Sequence, residues 1–422
     1  MTSADQPSVV VIGLGYVGLP LVVEAVRAGV GVTGFDVKSS TVDGLNSGRS
    51  HVDDIADVVV AEVLAAGFRA TSDASCLASA DVVVICVPTP LDADGAPDLS
   101  AVRAATATVR DHLHTGMLVV LESTTYPGTT DGPVREILEE SGLVAGRDFH
   151  LAFSPERIDP GNPVWGLRNT PKIVGGLTSA CTERAAEFYG RFVDTVVRVS
   201  GPREAELAKL LENTYRHVNI ALVNEMAVLS HELGVDLWES IDAARTKPFG
   251  FQAFYPGPGV GGHCIPIDPN YLSHHVKSLG YEFRFVELAQ EISSRMPHYV
   301  VERVGRLLAS RGGALSGARV LLLGLTYKAD IADDRETPAR DVVRELRVGG
   351  ARVTAHDPHL SSFDVDGVSV EMADDLDTAL GSCEVAVLLQ AHSAYDFDHL
   401  ASRAPLVFDT RGKMHHPNVE RS

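Results

Sequence analysis

The chain has 422 residues, 45% apolar and 22% charged, which is the balance of a water-soluble globular protein with room for two or three domains. A formal charge of −20 excludes general nucleic-acid or membrane-surface binding, and it means that an anionic ligand needs a local basic site. The five cysteines, Cys76, Cys86, Cys181, Cys264 and Cys383, are odd in number and lack metal-ligand spacing. They suggest free thiols in a reducing cytosol, hence a cytoplasmic protein with no metal site. No apolar run is long enough to span a bilayer, and Asp5 with nearby glycines argues against a secretory signal.

Ser8 to Ile12 is a β-branched run expected as a buried strand. Gly13-Leu14-Gly15-Tyr16-Val17-Gly18 follows, then a helical pattern to Ala28, a second strand to Phe35, and Asp36. Strand, Gly-x-Gly-x-x-Gly, helix, strand and acid form a dinucleotide-binding unit. Gly13 makes the turn, Gly15 admits the pyrophosphate and Gly18 lets helix and strand pack. Tyr16 and Val17 lie in the same loop, at a helix N-terminus suited to phosphate. Asp36 can accept both ribose hydroxyls and repels a 2′-phosphate, which favours NAD; Lys38 weakens that preference slightly.

Further strands are expected at Asp81–Val87, Met117–Leu121, His150–Phe153 and Lys172–Gly175, the last closing the domain. The first three end in Pro88-Thr89-Pro90, Glu122-Ser123-Thr124-Thr125 and Ser154-Pro155-Glu156-Arg157. Loops after parallel strands line the ligand crevice, so Pro88, Thr89, Thr124 and Glu156 are expected to face cofactor and substrate. Each also fits a cap or turn role.

From Pro202 the pattern is helical to Leu233. Glu206, Lys209, Asn213 and Arg216 form a polar stripe, with Lys209 and Asn213 on one face at i and i+4. Such a stripe is normally solvated. Asn213 and Asn224, however, are poor helix formers, so a buried contact or a site is expected there. Helices are expected at Leu237–Arg245, Asn270–Leu279 and Phe285–Leu308, with a dimer interface in this segment. Between them lies Tyr255-Pro-Gly-Pro-Gly-Val-Gly-Gly-His-Cys-Ile-Pro-Ile-Asp268. It reads as a Gly-rich loop whose amides could hold the Cys264 thiolate, or as a surface turn with an inert thiol.

Arg319 to Gly324 begins another α/β unit without the glycine fingerprint, consistent with lost dinucleotide binding. Lys328 and Arg335 in the following loop are the candidate phosphate contacts. The fold class expected is α/β: two Rossmann-like doubly wound domains, 1–200 and 311–422, joined by a central helical dimerisation domain at 201–310.

Gly-Leu-Gly-Tyr-Val-Gly-Leu-Pro, Glu-Ser-Thr-Thr, Ser-Pro-Glu-Arg, Ala-Glu-Leu-Ala-Lys-Leu-Leu-Glu-Asn, Gly-Val-Gly-Gly-His-Cys-Ile-Pro-Ile-Asp and Lys-Ala-Asp…Arg-Glu-Thr-Pro occur in this order. Together they resemble the UDP-glucose/GDP-mannose dehydrogenase family. The resemblance implies an NAD-dependent four-electron oxidation of a nucleotide sugar's C6 hydroxymethyl to a carboxylate. It implies Cys264 as nucleophile, Lys209 and Asn213 as oxyanion stabilisers and Asp268 as a general acid/base aid. Thr124 and Glu156 would position water and substrate. Arg157, Tyr255, Gly261, Lys328 and Arg335 join the substrate site, and the partners implied are a UDP-sugar and a second copy of the chain. The loop before Cys264 resembles the UDP-N-acetylhexosamine branch, with UDP-glucose or dTDP-glucose as alternatives. A two-electron hydroxy-acid dehydrogenase leaves Cys264 and the last domain unexplained, and a non-catalytic NAD-sensing or scaffold protein needs Lys209, Asn213, Cys264 and Asp268 to be incidental.

Overall fold

The computed structural model describes residues 7–92, 96–159, 161–262 and 264–422; the side chain of Cys264 lies outside the described residues. The chain forms two compact units, Met1–Glu212 with Asn270–Gly280, and Asn213–Pro269 with Tyr281–Ser422. The helical segment expected at 201–310 therefore contributes to both.

The first unit holds a sheet of eight strands: β1 (Ser8–Ile12), β2 (Gly31–Phe35), β3 (Arg69–Thr71), β4 (Val82–Ile85), β5 (Leu118–Leu121), β6 (His150–Phe153), β7 (Lys172–Gly176) and β8 (Val196–Arg198). Their order is β3-β2-β1-β4-β5-β6-β7-β8. All neighbours are parallel except β6 and β7, which pair Ala152 with Gly176 and Phe153 with Gly175. The sheet runs one strand further than expected, because β8 pairs with β7 from Lys172↔Val196. Val82–Ile85 and Leu118–Leu121 are buried at every position, as strands covered on both faces must be. The Gly18–Arg27 helix buries Leu19, Leu21, Val22 and Ala25, each large side chain contributing about 1.5–3 kcal/mol. The strand order reverses between β1 and β4, and that switch point puts a ligand crevice at their C-terminal ends.

The second unit carries β9 (Arg319–Leu323), β10 (Arg352–His356), a hairpin of β11 (Asp364–Val365) and β12 (Val368–Ser369), then β13 (Glu371–Met372), β14 (Val385–Leu388), β15 (Val407–Asp409) and β16 (Val419–Arg421). The main sheet has the order β13-β10-β9-β14-β15-β16, entirely parallel. Its first turn keeps more of the dinucleotide pattern than expected. Gly324 has φ +78° and donates to the His356 carbonyl at 2.9 Å, as Gly13 at φ +88° donates to Phe35 at 2.9 Å. Thr326 and Ala329 stand where Gly15 and Gly18 stand in the first unit.

One boundary differs from the sequence reading. The helix expected from Asn270 begins at Cys264 and runs to Ser278. Pro266 falls in its first turn, where an amide donor has no partner to lose, so a proline there does not mark the loop it suggests.

Candidate active site

In the first unit the turn after β1 is shaped by close approach. A Cβ on Gly18 would lie 1.9 Å from the Gly13 carbonyl oxygen, and one on Gly13 would lie 2.7 Å from that of Cys86. A Cβ on Gly15 would meet nothing within 4 Å, so this part of the turn faces open space. Asp36 is held by two amides, Leu14 at 3.0 Å on one oxygen and Lys38 at 2.9 Å on the other. Each oxygen keeps a lone pair for a ribose hydroxyl. Tyr16 donates to Asp53 at 3.2 Å, and Val17 is the residue before the helix. These residues fit the NAD expected from the sequence.

The β4 and β5 ends form the adjoining wall. Pro88 is exposed and Thr89 buried, and the Thr89 carbonyl accepts the Tyr271 hydroxyl. Ser123 ties the two strand ends together by donating to Val87 at 2.7 Å. Thr124 is half-buried, whereas Thr125 beside it is 1% exposed with a hydroxyl that has no partner among the described residues. Buried orphan hydroxyls are uncommon, so Thr125 joins the candidate residues; adjacent identical threonines gave the sequence no way to separate them.

The turn after β6 is fixed at every residue. Ser154 donates to Ile173 at 2.8 Å. The Lys209 ammonium donates to the Glu156 carbonyl at 2.7 Å and pairs with its carboxylate at 3.2 Å. Arg157, expected at the substrate, grips Glu212 at 2.6 Å and donates to the Pro171 carbonyl at 2.5 Å.

The Pro202–Leu233 helix is polar inside and apolar outside. Glu206, Lys209 and Asn213 are buried, while Leu207, Leu211, Tyr215, Leu222, Leu229 and Leu233 are exposed. Glu206 accepts from the Gly128 amide at 2.8 Å, the Thr130 amide at 2.9 Å and the Thr130 hydroxyl at 2.7 Å. Burial still pushes its carboxyl up to about 7. The solvated face that charge patterning suggests is thus the packed face up to Asn213, and only Arg216 of the stripe is exposed.

In the second unit Asn213 donates to Asp268 at 2.6 Å, both buried, and Asn224 accepts the Gly257 amide at 2.9 Å. Both helix asparagines therefore find a partner in the Gly-rich stretch or the helix that follows it, while the buried Asn224 Nδ2 has none among the described residues. The glycines serve packing within the unit. A Cβ on Gly261 would lie 2.6 Å from the Glu336 carbonyl oxygen, and one on Gly262 would lie 2.6 Å from the Tyr327 ring. The Gly262 amide donates to the Arg335 carbonyl at 3.0 Å. Two of the expected anion-facing amides, Gly257 and Gly262, are thus used by the protein itself. Tyr255 stacks on Trp238 with ring centroids 5.4 Å apart.

Lys328 is half-buried and Arg335 pairs with Asp333 at 2.5 Å. A further cation was missed. Arg411 follows β15 and donates to the Leu389 carbonyl at 2.7 Å; a Cβ on Gly257 would lie 2.8 Å from its guanidinium. Burial lowers its pKa to about 10. Its place after a parallel strand was the available signal. Asp357, the counterpart of Asp36, accepts Leu325 at 2.6 Å and His359 at 2.8 Å but is buried and also receives His392 Nε2 at 3.1 Å. That carboxylate is closed to a ribose, which is why this turn does not repeat the first. Asp330, His359 and His392 bring ligand atoms within 4.8 Å, but His392 Nδ1 already accepts the Asp330 amide at 3.0 Å.

Fold and turn define an NAD-dependent dehydrogenase with a second Rossmann-like unit. The chain belongs to the UDP-glucose/GDP-mannose dehydrogenase family: its NAD binding domain matches residues 7–193, its central domain 203–295 and its UDP binding domain 321–416. The chain is 37% identical over 354 residues to a UDP-N-acetyl-D-mannosamine dehydrogenase of Pyrococcus horikoshii, covering 83% of this chain and 84% of the relative. It is 37% identical over 359 residues to a UDP-N-acetyl-D-glucosamine 6-dehydrogenase of Pseudomonas aeruginosa, covering 84% of each. The solved structure of the P. horikoshii UDP-D-ManNAc dehydrogenase superposes with a TM-score of 0.89 at 32% identity, covering 98% of both chains. Among the described residues no helix is long and apolar enough to cross a membrane.

Proposed function

We propose that this enzyme oxidises the C6 hydroxymethyl of a UDP-N-acetylhexosamine to the carboxylate in two two-electron steps. The observation that carries the reading is two buried polar pairs, Lys209 with Glu156 in the first unit and Asn213 with Asp268 in the second, each kept against the cost of burying polar and ionic groups. Bound NAD supplies the hydride acceptor for each step. Cys264 adds its sulfur to the C6 aldehyde, and the Lys209 ammonium and Asn213 amide stabilise the oxyanion that forms. After the second oxidation the thioester is hydrolysed. Water oxygen attacks the carbonyl carbon, Glu156 takes the water proton, the C–S bond breaks with its electron pair on sulfur, and Asp268 assists proton transfer. Half-buried Thr124 and buried Thr125 position water and substrate beside the β5 end.

For the substrate diphosphate, Lys328, Arg335 and Arg411 provide the local cations that an acidic protein needs. Arg157, Tyr255 and Gly261 act through the shape of the site. The sugar class is supported by the relatives, which act on N-acetylhexosamines by name. The exposed leucines of the Pro202–Leu233 helix, at helical spacing, support a homodimer formed through that face. The free thiols Cys76, Cys86, Cys181 and Cys383 support a cytosolic enzyme. Comparison of kcat/KM for UDP-N-acetylmannosamine, UDP-N-acetylglucosamine and UDP-glucose tests the assignment. An acetamido sugar is expected to lead by at least about tenfold, the scale of one well-made polar contact; preference for UDP-glucose would overturn it.

A further inference from the structure

Lys172 opens β7 and is only 5% exposed. Lysines are almost never buried without a partner. Here the ammonium pairs with Glu122 at 2.8 Å, donates to the Pro155 carbonyl at 3.2 Å and lies 5.1 Å over the Tyr189 ring. Glu122 is 1% exposed and receives the Tyr189 hydroxyl at 2.5 Å on the same oxygen. The antiparallel pairing of β6 with β7 makes this possible, since it sets the start of β7 beside the residues that leave β6. None of the three side chains has a part in the proposed chemistry. A buried ion pair is also a weak source of stability compared with apolar residues of the same volume.

The contacts converge on one turn. Lys172 holds the carbonyl of Pro155, and Lys209 holds the carbonyl of the next residue, Glu156. The Glu156 carboxylate itself turns back to the Ile158 amide. We infer that Lys172, fixed by Glu122 and Tyr189, is a positioning residue that sets the orientation of the Pro155–Glu156 peptide and thereby aims the Glu156 carboxylate at the hydrolytic water. The inference rests on the proposed role of Glu156 in thioester hydrolysis. It places Lys172 in that one step: water adds to the thioester carbon, its proton goes to Glu156, and the C–S pair returns to Cys264. The two oxidations do not require Lys172.

The test is a rapid-mixing NADH assay on the full enzyme with its best UDP-sugar and saturating NAD, using Lys172→Met, Lys172→Arg and Glu122→Gln/Lys172→Met. The double variant removes both buried charges and guards against misfolding of the single one; thermal melting and NAD binding verify the fold. The expected result is an intact burst of two NADH per site, followed by a steady-state rate lower by roughly 10- to 100-fold, the scale of misplacing a catalytic group by about an ångström. A mass shift on Cys264 should appear in quenched enzyme, and Lys172→Arg should restore part of the rate. A folded double variant with the wild-type steady-state rate, or a slowed burst without the adduct, would overturn the inference. Glu156→Gln is run in parallel. If it accumulates adduct while the Lys172 variants do not, the positioning role alone fails; if neither does, the reading of Glu156 fails and takes the positioning role with it.

Discussion

Replacing Lys209 by Met separates what its buried ammonium does for the fold from what it does for catalysis. Lys209 is 5% exposed and Glu156 9% exposed, and they share a hydrogen bond and an ion pair at 2.7 and 3.2 Å. Met matches the stem of Lys209 but leaves the Glu156 carboxylate buried without its cation. Breaking a buried pair from one side costs about 3–5 kcal/mol. At about 2–4 °C per kcal/mol for a unit of this size, Tm should fall by about 6–20 °C. Adding Glu156→Gln removes the stranded charge and should recover most of that loss, a coupling that a double-mutant cycle measures directly. Activity should not recover. On the proposed roles, loss of one oxyanion donor lowers kcat by about 10²–10³, and the double variant lacks the proposed hydrolytic carboxylate as well. Calorimetry and steady-state NADH formation are the assays. A Lys209→Met enzyme with unchanged Tm, or a double variant with wild-type kcat, would refute the reasoning.

Burial raises the Glu206 carboxyl from an unfolded value of 4.5 to about 7. The folded state therefore holds this proton to higher pH, so its stabilising contribution is full below about 4.5 and is lost as pH rises towards 7, by about 3 kcal/mol. Glu206→Gln should flatten the Tm profile across that window; an unchanged profile would show that another group controls it. Leu211→Glu with Leu229→Glu should convert the proposed dimer to monomer in light scattering while the secondary structure is retained, because both positions lie on the exposed apolar face. Arg411→Met should raise KM for the nucleotide sugar at least about tenfold with little change in NAD affinity, as removal of a charge-assisted contact to a diphosphate requires; equal losses for both ligands would speak against a substrate role.

The first Rossmann turn was legible because its signals are local: glycine spacing, a strand, a helix and Asp36 lie within about thirty residues, as such a unit does. The two helix asparagines were legible for a similar reason, since each works against its own helix propensity. The orientation of the Pro202–Leu233 helix was not legible. Its polar face is buried by distant partners, Gly128 and Thr130 for Glu206 and Glu156 for Lys209, and no spacing within the helix encodes them. The helix start at Cys264 was hidden by Pro266 and Pro269, which read as breakers. Lys172 looked like an ordinary strand end, and its burial follows only from the antiparallel placement of β7 beside β6. The turn role of Gly324 was not legible because the segment keeps one glycine of three, enough for the turn but not for a pyrophosphate.

The most direct test of the four-electron covalent account is the NADH yield per nucleotide sugar consumed, on wild type and on Cys264→Ala. Two NADH per sugar, with overall turnover lost in the variant, is the predicted result. One NADH per sugar, or a variant with unchanged yield and rate, would contradict the role of Cys264 and leave a simple two-electron dehydrogenase.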